Sequence, residues 1–310
     1  MPGRAQAQAG LLSYMRCIMT DRETVLSEIL KYRYAHRGLH HKPEVPENSL
    51  MAFEKAFEKG FGIEFDVHLT SDGKLAVIHD SGLRRVTTVR DDHLPVLPEN
   101  AETECTFTVG SADIIEEITL EQAKSYPLEE SDERIPEFRE VLELAAGRSP
   151  LIIELKPYGG NHGELCYKVM EDLREYEKKY PEAIYCVESF NSFAVLTMKK
   201  KYPDVVRGQL GSDLIADYKA RVQGDPREGV KFDPMTNTLV RDLRLNRLTE
   251  PDFVAYNYEH KRNRAFREFK GAKIFYTIKD PLDLAVGEGL GAACIFERFV
   301  PANPMKDGEI

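Results

Sequence analysis

Y-A-H-R-G at Tyr34–Gly38, P-E-N-S at Pro46–Ser49, E-F-D-V-H-L-T-S-D-G at Glu64–Gly73 and V-I-H-D at Val77–Asp80 follow one another between positions 34 and 80. The apolar runs within this stretch predict strands over Arg33–Arg37, Ile63–Val67 and Leu75–His79. Between the first two, Leu50, Phe53, Ala56 and Phe57 recur at helical spacing, which predicts an amphipathic helix over Ser49–Lys59. Ser49 or Asn48 is suited to cap it, since a short polar side chain there accepts an orphan backbone N–H. Gly60 and Gly62 then end the helix and open the next strand. Strand, helix, strand within so short a span is the unit of a parallel sheet covered by helices.

The same rhythm continues along the chain. Leu151–Lys156, Ile184–Glu188, Val205–Gln209, Phe253–Tyr256, Lys273–Thr277 and Ala293–Glu297 read as buried strands. Gly163–Lys179, Ser192–Tyr202, Thr236–Asn246 and Arg262–Lys270 read as helices between them. About eight such units predict an α/β fold of the (β/α)8 TIM-barrel type; a doubly wound sheet is the alternative, but no switch point is legible. The polar stretch 83–134, with a T-L-E-Q capping box at Thr119–Gln122, is expected as a small insertion after the second βα region. Gly211–Asp233 is a second candidate elaboration. Residues 1–30 are expected to form a leader and first helix, partly disordered, and residues 31–310 a single catalytic domain.

Bulk properties bound the function. The chain has 310 residues, 42% hydrophobic and 30% charged, enough for a sizeable core. A formal charge of −10 argues against a general nucleic-acid binder, yet leaves room for an anionic substrate where a cation reverses the local sign. Cys17, Cys105, Cys166, Cys186 and Cys294 are scattered and contain no C-x-x-C, so neither a zinc site nor a disulfide framework is supported. Reduced thiols, no sustained apolar core in the first twenty residues and no spanning segment lead us to expect a cytoplasmic protein.

Several residues have chemistry to spare. Glu64 and Asp66 sit two apart on a strand and so share a face, with Ile63, Phe65 and Val67 on the other. Burying two carboxylates side by side is costly unless a hard divalent cation binds them; a solvated edge strand is the alternative. In L-I-I-E-L-K-P, Glu154 and Lys156 repeat the pattern, either as a third ligand and a phosphate contact or as a pair that neutralises itself. His36 and Arg37 close the first strand, and the planar fork of arginine suits a phosphate. His79 closes the Leu75–Ile78 run. Two histidines near predicted ligands can divide acid and base work. His68 continues the Glu64–Asp66 face but lies beyond the apolar stretch, and is left out of the catalytic set.

These motifs, in this order, resemble the signature of the glycerophosphodiester phosphodiesterase family. H-R-G (His36–Gly38), P-E-N-S, A-F-x-x-A (Ala52–Ala56), E-x-D-V-x-L-T-x-D-G and V-x-H-D all match. I-P-E-F-x-E-V-L (Ile135–Leu142), I-E-L-K-P (Ile153–Pro157), E-S-F-N (Glu188–Asn191) and G-Q-L (Gly208–Leu210) agree further on. The resemblance implies a TIM barrel that hydrolyses glycerophosphodiesters to glycerol 3-phosphate and an alcohol, in lipid and glycerol metabolism. It implies one divalent cation, magnesium or calcium, on Glu64, Asp66 and Glu154. His36 and His79 would be the acid–base pair, with Arg37 and Lys156 on the substrate phosphate. The partner expected is a small molecule, not nucleic acid. The alternatives are a lysophospholipase D-type enzyme on the same barrel and a non-catalytic barrel binding a phosphorylated ligand. The chain departs from the family where W-T-V-N is usual, reading Tyr276-Thr277-Ile278-Lys279. It departs again at its closing I-F-E-R-F (Ile295–Phe299), where T-D-x-P is commoner; both changes are expected at the alcohol-side pocket.

Overall fold

The computed structural model describes residues 22–87, 114–221 and 234–306. A first helix, α1 (Arg22–Ile29), precedes strand β1 (Arg33–His36), helix α2 (Leu50–Glu58), strand β2 (Gly62–Leu69) and strand β3 (Leu75–Val77). Helices α3 (Leu120–Ser125) and α4 (Phe138–Ala145) lead to β4 (Leu151–Leu155), then α5 (His162–Lys179), β5 (Tyr185–Ser189), α6 (Ser192–Lys201) and β6 (Arg207–Gly211). After these come α7 (Leu214–Arg221), α8 (Pro234–Arg241), α9 (Asn246–Thr249), β7 (Phe253–Asn257), α10 (Arg264–Glu268), β8 (Ala272–Ile278), α11 (Pro281–Gly289) and β9 (Ala293–Phe296).

The strands run in the order β1-β9-β8-β7-β6-β5-β4-β2-β3, and β1 also pairs with β2. Every pairing around that ring is parallel. The result is the closed eight-stranded barrel that the sequence predicts. β3 is the exception: it folds back antiparallel on β2, Val77 opposite Val67. The T-S-D-G turn explains this. Gly73 adopts φ +70°, with its N–H donating to the Thr70 carbonyl, and such a tight turn joins only antiparallel strands. The predicted helix over Thr236–Asn246 is broken into α8 and α9, with Leu243 at a positive φ between them.

Strand alternation sorts the core into two. Ile63, Phe65 and Val67 point outward and pack with Phe53, Phe138 and Val141 of the surrounding helices. Tyr34, Ile152, Cys186, Leu210, Phe253, Ile274 and Ile295 point inward and fill the lumen. Gly208 makes room there, since a Cβ would lie 2.2 Å from the Phe253 ring. Ile29 of α1 belongs to this inner cluster, and the Tyr34 hydroxyl donates to its carbonyl at 2.7 Å, so α1 stoppers the N-terminal end. Among the described residues, the inward-facing acids Glu64, Asp66, Glu154 and Glu188 lie toward the other end. A third cluster, including Ile78, Leu83, Val86, Ile115, Leu120 and Leu128, gives the excursion between β3 and α4 its own small core. Thr119 caps α3 with the reciprocal bonds of a capping box. The acidic residues Asp91, Asp92, Glu99, Glu102 and Glu104 lie outside the described residues, as do Cys17, Cys105 and most of the leader.

Candidate active site

The inward face of β2 ends in Glu64, Asp66 and His68, one residue pair apart each time, and β2 is buried along its whole length. Registration with β4 sets Asp66 beside Glu154. Carboxylate oxygens of Glu64, Asp66 and Glu154 all fall within 4.8 Å of one another, below the surface. Three acids in so small a volume repel and resist desolvation. Burial, with Asp66 and Glu188 beside it, pushes the Glu64 carboxyl well above the usual carboxylate range. Burial likewise pushes Glu154 up to about 7, with Lys156 working against it. Glu64 Oε2 is buried without a hydrogen-bond partner. All-oxygen donors with orphaned lone pairs suit a hard cation such as calcium or magnesium.

The four remaining predicted residues surround this trio. Lys156 Nζ lies 3.1 Å from Asp66 Oδ1 and 2.9 Å from Glu154 Oε1, so it neutralises two of the three carboxylates. Arg37 approaches Asp66 with its Nε at 3.6 Å and donates to Glu47 through Nη1 at 2.6 Å. Burial opposes a charge on Asp66, but Lys156, His79 and Arg37 outweigh it and hold the carboxyl well below its ordinary range. Arg37 takes φ +56°, a conformation that costs a side-chain residue energy, and Gly38 follows where a Cβ would collide with the Ala52 backbone at 2.7 Å. Helix α2 is thereby seated tightly against the arginine's loop, with Ser49 as its cap.

The two histidines are held alike. His36 Nδ1 meets Glu297 Oε2 at 2.8 Å, which leaves Nε2 facing Glu64 Oε2 at 3.8 Å. His79 Nδ1 meets Asp80 Oδ1 at 2.5 Å. A carboxylate accepting from Nδ1–H fixes the tautomer whose Nε2 carries the lone pair. Burial and then the Arg37 charge depress His36, against the pull of Glu297. Burial, Arg37 and Lys156 bring His79 down to about 3. Both rings are therefore neutral near pH 7 and able to take up a proton.

All seven predicted residues thus converge on the C-terminal rim, where barrel sites are built. The neighbours that orient them were not singled out. Glu47 accepts from Arg37, Arg85 and Lys42. Asn48, at φ +54°, donates to Asp66 Oδ2 at 2.9 Å. Both stand in P-E-N-S, so the motif carried the signal. Glu297 is the acid of I-F-E-R-F, and its carboxylate meets His36 Nδ1. The Tyr276 hydroxyl donates to the Gly211 carbonyl at 2.9 Å and its ring lies edge-on to Phe190. His68 pairs with Glu116 at 2.5 Å and faces the His79 carbonyl, and both side chains are buried.

The sequence model of the glycerophosphoryl diester phosphodiesterase family matches residues 36–296. A glycerophosphodiester phosphodiesterase of Bacillus altitudinis is 31% identical over 243 residues, covering 74% of this chain and 88% of the relative. One from Caldanaerobacter subterraneus subsp. tengcongensis is 32% identical over 184 residues, covering 57% and 65%. Among solved structures, an Oleispira antarctica phosphodiesterase in complex with its product sn-glycerol-3-phosphate superposes with a TM-score of 0.62. It is 21% identical, with 88% of this chain and 94% of that one covered; at that identity the likeness speaks for the fold.

Proposed function

The chain belongs to the glycerophosphoryl diester phosphodiesterase family, and from that premise we propose that it hydrolyses glycerophosphodiesters to glycerol 3-phosphate and an alcohol, with a divalent cation on Glu64, Asp66 and Glu154 and with His36 and His79 moving the protons. The observation that carries this reading is the convergence of three buried carboxylates, two histidines each held at Nδ1 by a carboxylate, and two basic side chains on one rim. A bound cation supplies a Lewis acid that screens the phosphate and polarises a hydroxyl.

The protein's own groups divide the remaining work. Arg37 Nε is buried with no hydrogen-bond partner, a donor free to meet a phosphoryl oxygen as charge builds there. Lys156, beside Asp66 and Glu154, would add a second positive charge at the phosphate. One histidine takes the proton of the attacking oxygen at Nε2; the other, once it has taken up a proton at Nε2 from solvent, gives that proton to the leaving alcohol. Glu297 and Asp80 steady the imidazolium that forms on each. The buried free thiols of Cys166, Cys186 and Cys294 suit the reducing conditions of a cytoplasmic setting. No helix among the described residues is long and apolar enough to cross a membrane.

Removing either histidine tests the assignment. His36→Ala and His79→Ala should each lower kcat on glycerophosphocholine about 10²–10⁴-fold. The double variant should be little slower than the slower single, because groups that act as a unit are not additive. Wild-type turnover in either single variant removes that histidine from the mechanism.

A further inference from the structure

Glu188 is a fourth acid at the centre, and its Oε2 meets no hydrogen-bond donor of the protein. It stands on β5, in register with Glu154 of β4 and on the same inward face. Only 2% of it is exposed, and Oε2 is buried with no hydrogen-bond partner. Its strand cannot shift to relieve it: Ser189 Oγ donates to the Leu155 carbonyl at 2.7 Å and accepts from the Asn191 N–H, pinning the end of β5. Below it lie Cys186, Ile152 and Ile274, an apolar layer into which leucine or methionine would fit chemically. A carboxyl buried with an unmet lone pair costs stability that an apolar residue would not. The position therefore serves something that arrives from outside the chain.

The geometry points to the cation. We infer that Glu188 is a positioning residue of the metal centre, accepting a hydrogen bond from a water bound to the cation and raising cation affinity through its charge. Glu188 falls outside the trio whose oxygens share one 4.8 Å cluster, which favours contact through water over direct ligation. Magnesium and calcium keep water in their coordination spheres, and groups that hold such waters govern affinity nearly as strongly as the ligands. This inference rests on the reading that Glu64, Asp66 and Glu154 hold a divalent cation.

Calorimetric titration of the substrate-free, chelator-stripped full chain with magnesium and with calcium tests it. Wild type should bind one ion. Glu188→Gln, nearly isosteric, should bind about 10–100-fold more weakly, and Glu188→Asp, which keeps the charge, should fall between the two. In chelator, Glu188→Met should melt above wild type, because it removes the unanswered carboxyl. Undiminished affinity in Glu188→Gln overturns the inference, and so does an aspartate variant as weak as the glutamine one. Wild type that binds neither ion overturns the cation reading itself and this inference with it. The wild-type titration alone separates that failure from the others.

Discussion

His36 and His79 lie on different elements, yet each presents Nε2 to the site because a carboxylate holds Nδ1. The consequence for Glu297 is measurable. Glu297→Ala should lower kcat about 10–100-fold, an order typical of a supporting partner, with KM little changed; an unchanged kcat would remove its role in orienting His36. Protonation has a consequence for stability as well. His79 at about 3 and His40 at about 4, both depressed chiefly by burial, lie below their ordinary 6.5. Between pH 6.5 and those values the unfolded chain binds protons that the folded chain refuses, so stability falls as pH is lowered through this window. Glu297, held at about 2 mainly by its bond to His36 against the effect of burial, adds a loss as pH falls from 4.5 toward 2. Urea unfolding in chelator from pH 7 to 4 should show this decline, and a shallower one for His79→Gln, which cannot titrate there. Identical slopes would contradict it. The seven predicted residues stand out in the sequence as charged groups and histidines at the ends of apolar strands, and the family resemblance gathers them into one set. Glu297 was not so legible, since it reaches His36 only through the pairing of β1 with β9, the last strand of the barrel.

At the scale of elements, the excursion beyond β3 is tied to the site by two buried or half-buried links. Arg85, in the 3₁₀ turn Leu83–Arg85, donates to Asp80 and makes a two-pronged contact with Glu47 at 2.7 and 2.9 Å. Glu47 also holds Arg37. One arginine thus joins the carboxylate behind His79 to the carboxylate that holds Arg37. Arg85→Met should lower kcat/KM more than tenfold, with partial recovery on adding guanidinium, and a wild-type value would deny the link. The second tie is His68 with Glu116 of the turn Ile115–Glu117. Breaking a buried pair costs about 3–5 kcal/mol, so Glu116→Ala should show a clear loss in urea unfolding; full stability would mean the pair carries nothing. His68 shares the face of Glu64 and Asp66 as strand alternation requires, but its partner came from a polar stretch whose sequence named no contact. The turn-back of β3 was readable in principle from T-S-D-G, although the apolar run Leu75–Ile78 looked like one more barrel strand.

For the whole molecule, the alternation of strand and helix was enough to predict a barrel, because each unit must lay its apolar outer face under a helix. Closure could not be read that way. It depends on β1 meeting both β2 and β9, and it brings His36, Glu64, Glu154 and Glu297 into one rim. The lumen below is filled with aromatic and aliphatic side chains and stoppered by α1, so chemistry is confined to the open end. There the protein concentrates acids that it only partly neutralises, and a cation is the natural complement. Phosphorus NMR of glycerophosphocholine incubated with the chelator-stripped chain, before and after adding magnesium or calcium, tests this most directly. No turnover is expected in chelator, and a resonance of glycerol 3-phosphate should appear once a cation is supplied. Turnover at full rate in excess chelator, or phosphocholine as the product, would contradict it.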